Sequence, residues 1–92
     1  VGEARKTITI VNRRGLHARA SAKFVNMVAV LPAGVKVTVS KAPNSAAGGS
    51  ILGLMMLGAA KGDAIEVLVE GDGADSVLAD LAALVETGFG ED

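Results

Sequence analysis

The segment Arg13-Arg14-Gly15-Leu16-His17-Ala18-Arg19 gathers the parts of an anion-handling centre into a short run. His17 is the only imidazole in the chain, and a stretch with helical periodicity begins directly behind it. If that stretch is a helix, its first turn presents unpaired N–H groups and the positive end of the peptide dipole, a ready anion site. A neutral imidazole placed there is a nucleophile toward phosphorus. Ala18 would supply a backbone N–H at the helix N-terminus, Arg19 a cation for the oxyanion, and Gly15 room for close approach of a phosphate. The chemistry these parts support is a phosphoramidate, in which a ring nitrogen bonds to phosphorus while N–H groups and Arg19 neutralise charge. Position alone also fits an ordinary capping histidine.

The elements that must hold this segment follow from periodicity. Thr7-Ile8-Thr9-Ile10-Val11 alternates as a strand with one buried face, and Asn12 to Gly15 reads as a basic turn. From Ala18 to Leu31, Ala20, Phe24, Met27, Val28 and Leu31 share one helical stripe, with Arg19, Lys23 and Asn26 opposite. Pro32 and Gly34 end that helix. Val35 to Ser40 alternates strictly, Ala42-Pro43-Asn44 turns, and Ser45-Ala46-Ala47 is a short return strand. Ser50 caps a second helix over Ile51 to Leu57. Ile65, Val67 and Val69 mark a last strand, and Val77, Leu78, Leu81, Leu84 and Val85 a third helical stripe. After Thr87 the run Gly88-Phe89-Gly90-Glu91-Asp92 closes the chain. The order β-α-β-β-α-β-α implies an α+β domain over residues 1–92, an antiparallel four-stranded sheet covered on one face by three helices.

Composition narrows the function. The chain has 92 residues, half of them apolar, and a net charge of −1, which argues against nucleic acid as the main partner. Two Phe are its only aromatic residues, too few for the stacking platforms of single-strand binders. No cysteine and one histidine leave little for a metal site, so no metal and no cofactor are expected. A signal peptide and a membrane span are not expected either. Ser50 has two readings, an N-cap and a regulatory phosphosite, since phosphate at a helix N-terminus is tolerated while changing the charge met by a docking protein. Leu54 and Leu57 can face the sheet, which leaves Ile51, Leu52 and Met55 as a second apolar stripe. That stripe is expected to dock a partner, with burial against a second copy or the third helix as the alternative.

Taken together, the chain resembles the HPr family, the histidine-containing phosphocarrier proteins of the bacterial phosphotransferase system. Gly15-Leu16-His17-Ala18-Arg19 is similar to the family's active-site segment. Ser50-Ile51-Leu52-Gly53-Leu54-Met55-Met56-Leu57-Gly58, followed by Ala60-Lys61-Gly62, is similar to its second helix and exit turn. The resemblance implies an open-faced β-sandwich and a carrier rather than an enzyme, acting in the cytoplasm as a monomer without a cofactor. It implies that enzyme I, charged by phosphoenolpyruvate, phosphorylates the δ1 nitrogen of His17, that Arg19 stabilises the phosphoryl group, and that an enzyme IIA protein removes it. Ala20, Ile51, Leu52 and Met55 are then the expected partner contacts, and Ser50 the expected target of an HPr kinase. A regulatory module that docks through the second helix according to its phosphorylation is the alternative emphasis. Two positions depart from the family pattern. Ala20 stands where proline usually follows the arginine, and Gly48-Gly49 precede Ser50 where Ser-phosphorylated members often have lysine. The Asn12-Arg13-Arg14-Gly15 lead-in and the tail from Thr87 lean toward the nitrogen-related regulatory branch over sugar uptake.

Overall fold

The computed structural model describes residues 2–91; Val1 and Asp92, the ends of the expected domain, lie outside the described residues. Its strands are β1 (Glu3–Thr9), β2 (Lys36–Lys41), β3 (Asn44–Ala47) and β4 (Ala64–Glu70). They form one antiparallel sheet in the order β1-β4-β2-β3. Period-two alternation decides which face is covered. Ile65, Val67 and Val69 of β4 are buried, and they align with Ile8 of β1 and with Val39 and Val37 of β2 on the same face. Thr7, Glu66, Leu68 and Glu70 point to the open face. Helices α1 (Ala18–Ala29), α2 (Ile51–Met56) and α3 (Ala74–Glu86) all lie on the covered face, so the α+β open-faced sandwich expected from the sequence is the fold observed.

The stripes named from periodicity form the core. Ala20 and Phe24 of α1 and Leu78, Leu81 and Val85 of α3 are buried, and Met27, Val28 and Leu31 pack against them half-buried. Leu54 and Leu57 are buried beneath α2, as expected.

The largest boundary differences lie at the first strand and the first helix, each for a local reason. Strand β2 is shifted by one residue, and Asn44, expected in the turn, opens β3 opposite Lys41. The first strand starts at Glu3 rather than Thr7, because β4 runs on to Glu70 and gives Glu3 a partner. It ends at Thr9: Ile10 is held instead by the α2-exit loop, its N–H donating to Asp63 O at 2.8 Å and its carbonyl accepting from Gly62 N at 2.8 Å. The first helix stops at Ala29, two residues short of Leu31, whose N–H closes onto Val28 O at 3.1 Å in a tighter last turn. Pro32 restricts the residue before it to extended backbone, which favours that early exit.

The tail does more than close the chain. Gly88–Gly90 form a 3-10 turn whose three residues all have positive φ, including Phe89 at 58°. A left-handed phenylalanine costs about 1 kcal/mol or more. Phe89 is almost completely buried, and burying such a side chain contributes roughly 2 kcal/mol, enough to hold the turn. The glycines on either side carry the same hand without that cost. Residue 91 is thereby aimed back at the start of α1.

Candidate functional site

His17 is the N-cap of α1. Its backbone is extended (φ −74°, ψ 179°), its carbonyl accepts from Ser21 N at 2.9 Å, and its Nδ1 accepts from Arg19 N at 3.3 Å. The capping role and the chemical role expected of His17 therefore coincide: the nitrogen that caps is the one turned to the first-turn amides. Nε2 faces the other way and lies 2.5 Å from Oε2 of Glu91. An Nδ1 that accepts a hydrogen bond and an Nε2 against a carboxylate define the tautomer, with the proton on Nε2 and the lone pair on Nδ1.

The turn before His17 is built from Asn12 and Gly15. Asn12 is buried; its Nδ2 donates to Gly15 O at 2.9 Å and to Glu91 Oε1 at 3.0 Å. Both acceptors are oxygens, which settles the orientation of the amide. Gly15 has φ 63°, and a Cβ built there would stand 2.2 Å from Ala59 O, the atom that accepts from Leu16 N at 3.0 Å. The two sequence motifs thus meet, because the exit of α2 is bonded to the entry of α1. That loop is itself braced by Asp63, whose Oδ2 accepts from Ala60 N at 2.9 Å.

Beside His17 opens a cleft of about 480 Å³ lined by Arg13, Arg14, His17, Arg19, Lys23, Gly90 and Glu91. Among the described residues, four cations and one carboxylate surround the ring. Their summed field attracts a doubly charged phosphoryl group even though the chain as a whole is slightly acidic. Arg19 is exposed, as expected, and lines the cleft. Lys23 is not simply on the solvent side of α1: it is half-buried, and its Nζ donates to Phe89 O at 2.6 Å, pinning the tail turn. The hydrogen bond from Asn12, and next the His17 ring, hold the Glu91 carboxyl below the usual carboxylate range against its partial burial. A depressed carboxyl contributes stability above its unfolded pKa, so the tail contact is intact at neutral pH. It is lost as pH falls through the lowered value.

The other expected site residues separate into two groups. On α2, Ile51, Leu52 and Met55 are exposed, and Met56, absent from the expected stripe, is the most exposed of the four at 74%. Ala20 is a correction. Expected to touch partners, it is completely buried against the core, one turn before Phe24, and its side chain reaches no surface. Ser50 caps α2, its Oγ accepting from Gly53 N at 2.9 Å. Among the described residues no cluster of His, Asp and Glu could hold a metal ion, and no helix is long and apolar enough to cross a membrane.

Sequence reasoning missed Asn12, Lys23 and Glu91 as parts of the site. Asn12 stood out only as the first residue of a basic turn, and Lys23 only as a polar position of the first helix. Glu91 lies 74 residues from His17, and the sole signal for it was a carboxylate after a Gly-Phe-Gly turn.

Comparison with known proteins agrees with this geometry. The family model described as the PTS HPr component phosphorylation site matches residues 4–87. The phosphocarrier protein HPr of Pseudomonas aeruginosa is 42% identical over 85 residues, covering 91% of this chain and 92% of the relative. The phosphocarrier protein NPr of Shewanella violacea is 36% identical over 86 residues, covering 94% of this chain and 92% of its own. The crystal structure of HPr-C-His from Thermoanaerobacter tengcongensis superposes with a TM-score of 0.88 at 34% identity, covering 97% of this chain and 98% of that one. Fold, site and relatives converge: this chain belongs to the HPr family of phosphocarrier proteins of the phosphotransferase system.

Proposed function

We propose that Nδ1 of His17 accepts a phosphoryl group from phosphorylated enzyme I, charged in turn by phosphoenolpyruvate, and passes it to an enzyme IIA protein. One observation carries this reading: His17 caps α1 with Nδ1 turned to the first-turn amides, inside a cleft lined by Arg13, Arg14, Arg19 and Lys23. In this reading the amides of Ala18 and Arg19 and the Arg19 guanidinium neutralise the phosphoryl oxygens. Where donor and acceptor are also phosphohistidines, the bond broken resembles the bond formed, so transfer is nearly isoenergetic. Catalysis then rests on aligning two rings across an interface.

The exposed side chains of Ile51, Leu52, Met55 and Met56 supply that interface. Four large apolar residues on a six-residue helix form a patch that a partner can dry, and methionine adapts to more than one partner surface. Met55→Glu is expected to weaken binding to both enzyme I and enzyme IIA by about tenfold or more, since it buries an unpaired charge at the patch centre. Titration calorimetry with each partner checks this, and unchanged affinity for both would remove the patch from the docking surface. A phosphoryl group on Ser50 would add about two negative charges at the edge of the same patch, which is the regulatory role proposed for it. For the branch, sugar uptake and nitrogen or carbon regulation both use such a carrier, and the choice depends on which enzyme IIA takes the phosphoryl group.

The test is reconstitution with the same organism's enzyme I and labelled phosphoenolpyruvate. An acid-labile, alkali-stable label is expected, and nitrogen and phosphorus NMR should assign it to Nδ1 of His17. A label on another residue, or on Nε2, would overturn the reading.

A further inference from the structure

The Glu91 carboxylate on the His17 ring lies beyond residues 4–87, which match the family, and the relay just proposed makes no use of it. Its placement is built rather than incidental. Oε2 faces Nε2 at 2.5 Å, Oε1 is held by Asn12 Nδ2 at 3.0 Å, and Lys23 clamps the carbonyl of Phe89 at 2.6 Å. His17 and Glu91 side chains are only 15% and 19% exposed, so the pair is largely shielded from water. Among the described residues, the other charged groups lining the cleft are all cations: Arg13 and Arg14 from the turn before His17, and Arg19 and Lys23 from α1. Such surroundings favour an incoming phosphoryl group but disfavour any positive charge on the ring. Among the described residues, Glu91 is the one lining residue that opposes them.

We propose that Glu91 is the counter-ion of the His17 ring during phosphoryl transfer, a positioning residue that keeps the proton on Nε2 in both directions. The inference rests on His17 being the phosphoryl acceptor. In the forward step the Nδ1 lone pair attacks the phosphorus of a donor phosphohistidine. The Nδ1–P bond forms, the donor N–P bond breaks, and its electron pair returns to the donor ring. The His17 ring, still protonated on Nε2, now carries a positive charge directly against Glu91. In the onward step the electron pair of the Nδ1–P bond returns to Nδ1, and the ring departs as neutral imidazole with its Nε2 proton in place. No proton changes hands. Were Nε2 to lose its proton, the leaving group would be an imidazolate, a far poorer one. A carboxylate that orients a histidine and balances its imidazolium acts by the same logic in hydrolytic triads.

Glu91→Gln keeps the shape and an acceptor oxygen while removing the charge, and Glu91→Ala removes both. In the full chain, each variant is expected to remain folded by circular dichroism and to be labelled at His17. Onward transfer from the phosphorylated chain to enzyme IIA, followed by rapid quench, should slow by about tenfold near pH 8, the size of one charge-assisted hydrogen bond. The deficit should shrink toward pH 6, where solvent supplies the ring proton, so the falling limb of the pH–rate profile moves to lower pH. Nitrogen NMR of the phosphorylated ring should show the Nε2 proton lost at lower pH in both variants. Profiles superimposable on that of the unmodified protein would reduce Glu91 to a strap on the tail and overturn the proposal. Faster transfer would also overturn it, by making the carboxylate a plug. Absence of label at His17 in the unmodified protein would instead bring down the acceptor reading, and this inference with it.

Discussion

His17→Ala is expected to abolish acid-labile labelling by enzyme I and phosphoenolpyruvate completely, not merely to slow it. The chain has no other imidazole, so no second phosphohistidine can substitute. The substitution also removes the N-cap of α1, at a cost of about 1 kcal/mol, and the ring contact with Glu91. A fall in melting temperature of roughly 5 °C is expected for a domain of this size. That loss could be mistaken for the cause of inactivity. His17→Asn separates the two effects, because asparagine is among the best N-caps and carries no nucleophilic ring. It should melt closer to the unmodified protein and be equally unlabelled. Acid-labile, alkali-stable label retained in the Asn variant would show that phosphate goes elsewhere and would sink the relay.

The second large effect lies two residues earlier and acts through the backbone. Gly15→Ala would place a Cβ 2.2 Å from Ala59 O and 2.9 Å from Ala60 Cα, both main-chain atoms that cannot swing aside. The residue also has φ 63°, which costs an L-residue roughly 1–2 kcal/mol by itself. Overlap and conformation together should destabilise the domain by about 3 kcal/mol or more, a drop on the order of 15 °C in melting temperature. Gly34→Ala is the control, since Gly34 has φ 93° but no atom within 4 Å of where its Cβ would stand. It bears the conformational cost without the collision, so it should lose only about 1–2 kcal/mol. Equal losses in the two variants would mean that the Gly15–Ala59 contact is not tight. The surviving folded fraction of Gly15→Ala should also transfer phosphate poorly, because relieving the overlap displaces Leu16 from Ala59 and turns His17 away from its amides.

Much of the architecture was legible because each element announces itself locally. Strict alternation over Ile65, Val67 and Val69, and the Ala20–Phe24 stripe, follow from the geometry of one strand or one helix against a core. Ala20 shows where an analogy misled. Its position on the same stripe as Phe24 pointed to burial, and only the family resemblance placed it on the surface. Burial also bears on the missing proline: Ala20 is completely buried at the third position of α1, so a larger ring there would have to be accommodated by the core. Met56 was overlooked for the opposite reason. A helix of six residues is too short for its periodicity to say which residues a thin domain will leave uncovered.

The sequence by itself determined the order of elements and the place of His17 at the first turn of α1. Those depend on neighbours within about one helical turn, and local composition specifies them. Tertiary structure alone decided that the exit of α2 would seat the turn at Gly15, and that Lys23 would clamp a left-handed tail. It alone set the Glu91 carboxylate, with Asn12 behind it, against Nε2 of His17. Contacts between residues 74 apart depend on how three helices pack over one sheet, and no period or spacing in the chain encodes that closure.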